Sequence, residues 1–322
     1  MSTFLQGHVS PMLLLLSSMF LIAGCGARKN LDDQAIEVGG TMAFAGTAGA
    51  SAGVIGAGRS SIGGATADGG AAGSGCTGSF EVIQSNTGLC VAQMATIVAP
   101  GGYSNYSIDV TEVTKGQYDA WLATNPALPS SEDTNCNYVT SYAEQGKSGV
   151  YSGVDADHHP VVYVDWCDAY AYCKDVNKRL CGAIGGGANA FADYADPATS
   201  QWYRACSAGG TYAFPYGNTY QATICDGFDY WNDDSSRMQT VSVGSLPNCV
   251  TFATGYAGVY DLSGNVWEWE DCCSGSGVSA TCRVRGGAFH DFLGSYIPCD
   301  HDNNNYRQSV GSNFGFRCCS AG

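Results

Sequence analysis

The chain has 322 residues, with 14 Lys and Arg against 29 Asp and Glu and a formal net charge of -15 at pH 7. So acidic a chain repels phosphate backbones, which excludes nucleic acid as a partner. Charged residues make up only 13% and hydrophobic ones 45%, so there is ample material for a core. Sixteen cysteines without metal-ligand spacing point to export into an oxidising compartment.

Residues 11–23 are apolar apart from two serines. At about 1.5 Å per residue they are too short to cross a bilayer core of about 30 Å, but they suit the hydrophobic region of a signal peptide. The stretch ends in Leu21-Ile22-Ala23-Gly24-Cys25, which resembles a bacterial lipobox. Residues 1–24 are therefore expected to be a signal peptide and Cys25 the lipidated residue, with a plain cleaved signal as the alternative. The first ten residues carry no Lys or Arg, which departs from the usual pattern. Gly26 after Cys25 favours the outer membrane or cell surface as the anchoring site. Residues 25–79 read as a flexible tether, because 14 of the 41 residues from Gly39 to Ser79 are glycine and most others are Ala, Ser or Thr.

From Phe80 to Gly322 the composition turns aromatic and Cys-rich, marking one folded domain over 80–322. Thr114 with Gln117 forms a capping box, and Tyr118, Trp121 and Leu122 share one face of a short helix. A second helix is expected from about Asp165 towards Arg179-Leu180, with Trp166, Ala169, Tyr170 and Cys173 at i, i+3, i+4 and i+7. Long loops separate the rest. The fold class is therefore α+β, irregular, with little regular secondary structure and many disulfides.

Several collinear segments carry a family likeness. They are Ile108-Asp109 with Thr111-Glu112-Val113-Thr114, His159-Pro160-Val161-Val162-Tyr163-Val164-Asp165-Trp166, and Gln201-Trp202-Tyr203-Arg204-Ala205-Cys206. Tyr260-Asp261-Leu262-Ser263-Gly264-Asn265-Val266-Trp267-Glu268-Trp269 follows, then Arg283-Val284-Arg285-Gly286-Gly287-Ala288-Phe289 and Gly315-Phe316-Arg317. From about residue 94 to 319 the chain resembles the formylglycine-generating enzyme, or sulfatase-modifying factor, family. That resemblance implies a C-type-lectin-like fold.

The resemblance also implies structural Ca²⁺ around Gly264, Asn265, Val266 and Glu268, where carboxylate, amide and main-chain oxygens suit a hard cation. The bland alternative has Trp267 and Trp269 as core anchors and Glu268 capping a turn. The family's oxidase chemistry needs two cysteines that hold Cu(I) as thiolates, and the corresponding positions here carry Asp291 and Tyr296. Hard oxygen donors cannot form a dithiolate site, so copper is not expected. Cys299, three residues beyond Tyr296, is read as structural. The resemblance implies bridges from Cys173 to Cys318 and from Cys206 to Cys299 or a neighbour. If Cys25 is acylated, an odd cysteine remains, with Cys76 or Cys90 as the free thiol.

His290, Asp291, Asp300, His301 and Asp302 surround the altered positions and raise the thought of an iron or zinc site. In a lectin-like fold the last loop is a ligand platform, so Asn303, Asn304, Asn305 and Tyr306 are the candidate binding residues, set against an unliganded polar loop. The functional expectation is a lipid-anchored binding or scaffolding module for an extracellular protein or glycan. The alternative is an active oxidase that converts a sulfatase cysteine to formylglycine. Asp291, Tyr296 and Cys299 are the positions that decide between them.

Overall fold

A computed structural model of the chain describes residues 76–131, 133–146, 155–232, 234–291 and 296–320. The expected signal peptide, Cys25 and the expected tether up to residue 75 lie outside the described residues. Among those described, strands are two to eight residues long and the helices six to ten. Strands β1 (Glu81–Ile83) and β2 (Cys90–Ala92) pair antiparallel. One four-stranded sheet has the spatial order β3 (Met94–Ile97), β4 (Tyr106–Asp109), β10 (Cys318–Cys319), β5 (Arg179–Leu180). The other runs β8 (Asn304–Tyr306), β7 (Thr281–Arg285), β6 (Trp267–Ser274), β9 (Phe314–Phe316), with β9 parallel to β6.

Helix α1 (Lys115–Leu122) starts as its capping box dictates: the Gln117 N–H donates to Thr114 Oγ1 and the Thr114 N–H to Gln117 Oε1, both at 3.2 Å. Helix α2 (Trp166–Asp175) uses an acidic version of the same device, Asp165 with Asp168. It ends at Asp175, short of Arg179-Leu180, which instead form a strand. Its buried stripe includes Trp166, Ala169, Tyr172 and Cys173, while Tyr170 stacks on Trp166 and is 38% exposed. A third helix, α3 (Gln201–Cys206), buries Trp202 and Ala205. Its two-turn length explains why periodicity did not mark it.

One core gathers Tyr118, Trp121, Tyr172, Trp269 and Phe316 between α1, α2 and the β6–β9 sheet. A second packs Ile97, Tyr106, Ile108, Trp202 and Leu262. Each of the six tryptophan indoles donates a hydrogen bond, so the five buried rings and the half-buried Trp231 strand no polar group.

Seven disulfides lace the described residues: Cys76–Cys90, Cys136–Cys167, Cys173–Cys318, Cys181–Cys319, Cys206–Cys299, Cys225–Cys249 and Cys273–Cys282. The expected free thiol is corrected: Cys76 and Cys90 bond to each other, and the unpaired cysteine among the described residues is Cys272. Cys272 points inward from β6, its thiol donating to the Ala190 carbonyl at 3.3 Å. Burial, with Glu270 nearby, pushes its pKa far above the ordinary thiol value. It is therefore an inert core thiol.

Candidate functional site

The residues at the altered family positions follow β7. Gly286 and Gly287 both take positive φ, 91° and 79°, and turn the chain beneath the segment that starts at Tyr296. A side chain at Gly287 would put its Cβ 2.5 Å from Ile297 Cγ2 and 3.0 Å from the Tyr296 carbonyl oxygen. The glycine is thus a packing requirement that brings Ala288–Asp291 against Tyr296–Cys299.

Within this junction the Asp291 carboxylate accepts from the Ala288 N–H at 2.8 Å and from the Trp267 indole. Burial raises the Asp291 pKa, an effect offset by His290, by those two hydrogen bonds and by His301. The His301 ring lies 5.7 Å from Trp267 and 5.1 Å from Tyr296, centroid to centroid. Burial lowers the His301 pKa against the pull of Asp291. Tyr296 is 43% exposed at the mouth of this group. Cys299 is buried and bonded to Cys206. The donors facing one another are therefore carboxylate, imidazole and phenol, and the loop's one sulfur is consumed in a disulfide. Cu(I) dithiolate chemistry does not fit these residues.

His290, Asp291 and His301 do not bring their ligand atoms close enough to share an ion. Among the described residues the one group of three that does is Cys76, Glu81 and Cys90, whose cysteines are bonded to each other.

The expected calcium ligands lie on the loop before β6 and on β6 itself, and two of their side chains are already engaged. Glu268 Oε2 accepts from Arg317 Nε at 2.6 Å and Trp202 Nε1 at 2.8 Å, and Oε1 from Arg317 Nη2 at 2.7 Å. Asn265 donates to Glu112 Oε1 at 2.9 Å and accepts from the Val241 N–H at 3.0 Å. Gly264, with φ 78°, sits where a Cβ would lie 2.1 Å from the Asp226 carbonyl oxygen.

The surroundings nonetheless carry surplus negative charge. Glu112, Asp226, Asp261 and Glu268 are all buried in the region of Arg317. Glu112 Oε2 and Asp226 Oδ2 have no hydrogen-bond partner. Burial raises the Glu112 and Asp226 pKa values strongly and pushes Asp261, hydrogen-bonded to Glu112, up to about 7. Orphaned hard oxygens of this kind are the donor type that a hard cation takes, and the sequence reading did not single out Glu112 as one. Their contribution comes from segments about 40 to 150 residues away in the chain, which local spacing cannot reveal.

The expected ligand loop is in part an edge strand. In β8 the outward backbone donors are covered locally: Asn303 Oδ1 accepts from the Asn304 N–H at 2.8 Å, and Asn305 Oδ1 from the Tyr306 N–H at 3.0 Å. Asn305 also accepts from Ser309 Oγ at 2.8 Å. These contacts protect a free sheet edge, so Asn303 and Asn305 have a structural task. Asn304 and Tyr306, the latter 58% exposed, remain available on the surface.

A disulfide-laced α+β fold whose turns pack tryptophan and arginine places the chain in a structural class. Comparison with known proteins gives the family. The sulfatase-modifying factor enzyme 1-like domain matches residues 78–321, and the chain belongs to that family. It is 31% identical over 266 residues to the mouse formylglycine-generating enzyme, covering 67% of this chain and 66% of that protein. The chain thus spans slightly under two thirds of that relative's length. It is also similar to the bovine inactive C-alpha-formylglycine-generating enzyme 2, 29% identical over 174 residues and covering 50% of each chain. The structure of PvdO from Pseudomonas aeruginosa aligns with a TM-score of 0.45 and 20% identity, over 74% of this chain and 97% of that one.

Proposed function

We propose that this chain is an exported, lipid-anchored member of the family that binds an extracellular protein or glycan and does not oxidise cysteine. The observation that carries the reading is the replacement of the two thiols by Asp291 and Tyr296, with Cys299 held in the bridge to Cys206. The likeness to a relative named as inactive supports it. The lipobox-like end at Cys25 supports the anchor, and the exposed Asn304 and Tyr306 are the residues of the binding surface. A bound Ca²⁺ near Glu112 and Asp226 would replace protons among the buried carboxylates and hold the fold together, without a part in chemistry.

The test is a Cu(I) competition titration of the purified full chain, followed by oxygen uptake with a Cys-containing sulfatase peptide. The expected result is no stoichiometric Cu(I) capture and no turnover. Tight one-to-one Cu(I) binding with peptide oxidation overturns the reading and restores the oxidase.

A further inference from the structure

A cleft of ≈ 300 Å³ opens between the start of the described chain, the N-terminal end of α1 and the segment 242–245. Its walls include Phe80, Glu81, Thr111, Asp155, His158 and Val243. It shares none of the residues placed at the Asp291 junction or on β8.

The polar groups of this cleft are held in place from behind. Glu81 accepts from the Gly78 N–H at 2.9 Å and from Gln117 Nε2 at 3.1 Å, one bond to each oxygen. A carboxylate has room for about four such bonds, so each oxygen keeps a lone pair. Asp155 is gripped by Ser242 Oγ and by His158 Nδ1, the latter at 2.7 Å. Phe80 is fixed by its contact with Tyr260, ring centroids 4.9 Å apart. Gly244 leaves the space that the Phe80 ring occupies: a Cβ there would lie 2.4 Å from Phe80 Cε2.

Thr111 points to a ligand independently of the acidic groups. It is 1% exposed, lines the cleft, and its Oγ1 has no hydrogen-bond partner. A buried hydroxyl left so costs about 1–3 kcal/mol unless something in the cleft satisfies it.

No Lys or Arg is among the lining residues, so the formal charge of the walls is negative and uncompensated from within. Glu81, Asp155 and His158 do not group their ligand atoms as a metal site requires. Two carboxylates and a hydroxyl beside a phenyl ring and a valine suit a short aliphatic stem ending in a group with several N–H donors and no acceptor. We propose that this cleft binds a primary alkylammonium, with the ammonium among Glu81, Asp155 and Thr111 and the stem along Phe80 and Val243. The ammonium comes either from a free aliphatic amine or from a lysine side chain on a peptide.

The experiment maps amide chemical shifts of the full chain while 1-aminopentane, N-α-acetyl-lysine amide, pentylguanidine or neutral 1-pentanol is added. Saturable shifts at Phe80, Glu81, Thr111 and Val243 are expected with the ammonium probes and not with 1-pentanol. Response to both ammonium probes supports a free amine as a source, and response to the lysine amide alone supports a peptide. Glu81→Gln and Asp155→Asn should each weaken binding by about tenfold, the loss of one charge-assisted contact. Asp155 is exposed, so its variant keeps the test valid if Glu81→Gln disturbs the first strand. Equal response to 1-pentanol, tighter binding of pentylguanidine, or unchanged affinity in both variants overturns the proposal.

Discussion

Arg317→Met is the substitution that most directly tests how this domain is held together. Arg317 is fully buried, and besides its paired bonds to Glu268 it donates to the carbonyls of Asp109 at 3.0 Å and Tyr260 at 2.9 Å. Burial alone would push its pKa down, but the hydrogen-bonded Glu268 holds it above the ordinary value. Methionine fills most of the volume and removes the charge. Glu268 then keeps only Trp202 as a donor, and Glu112, 4.0 Å from the guanidinium, loses its nearest positive group. Breaking one side of a buried pair costs about 3–5 kcal/mol. The two stranded carbonyls add to this, so a loss of about 5 kcal/mol is expected. Equilibrium urea unfolding at pH 7 in chelator, with disulfides intact, measures it. Adding Glu268→Gln to Arg317→Met should recover about half of the loss, because the stranded carboxylate is then neutral. A single-variant loss below about 1 kcal/mol would refute the view that this pair anchors the β6 face.

Two further outcomes follow from positions on either side of that face. Gly287→Ala should lower stability by about 2 kcal/mol through overlap with Ile297 and a strained positive φ. Gly186→Ala, also at positive φ but with nothing within 4 Å, should cost less, and equal thermal shifts for the two would remove the packing argument. Glu270, buried beside Arg285 and hydrogen-bonded by Ser200, has its pKa raised by burial from 4.5 to about 7. Below 4.5 both folded and unfolded forms hold this proton, so its contribution to stability is complete. As pH rises to about 7 the unfolded chain ionises first, and roughly 3 kcal/mol is lost across that window. Glu270→Gln should flatten the fall in urea midpoint between these pH values, and an unchanged slope would place the titration elsewhere.

The parts of this fold visible in the sequence are those whose cause is local. The capping box at Thr114 and Gln117 acts over three residues, so α1 begins where the pattern says. The links of Cys173 to Cys318 and Cys206 to Cys299 came from the family likeness, since they span 145 and 93 residues that no spacing rule bridges. Cys76 looked like a tether residue because its neighbours are Gly, Ser and Thr, yet Cys90 fixes it to the domain. The asparagine run at 303–305 looked like recognition chemistry. Its edge-covering role appears only once β8 is seen pairing with β7 on one side alone. Eight of the ten strands among the described residues have two to four residues, too few positions for alternation to stand out, and the longer β6 and β7 are buried on both faces, so they do not alternate either.

The motifs that announce the family are, in this chain, mostly devices of stability. In Trp267-Glu268-Trp269-Glu270 the tryptophans enter the aromatic core, while Glu268 and Glu270 meet the buried arginines 317 and 285. Gly287 makes room for the segment at Tyr296 and Ile297, Gly286 for Leu262 and Trp202, and Arg317 closes the second ion pair from the C-terminal end. None of these residues depends on a thiol pair for its place in the fold, because each would cost several kcal/mol to replace. The two positions that carry the oxidase chemistry sit at the surface end of this framework: Tyr296 is half exposed and Asp291 caps its own turn. Tyr296 can change without disturbing what lies below, whereas a change at Asp291 also removes the acceptor of the buried Trp267 indole. A long and specific match to the family is therefore evidence about folding, and the oxidase activity must be judged at Asp291 and Tyr296 alone.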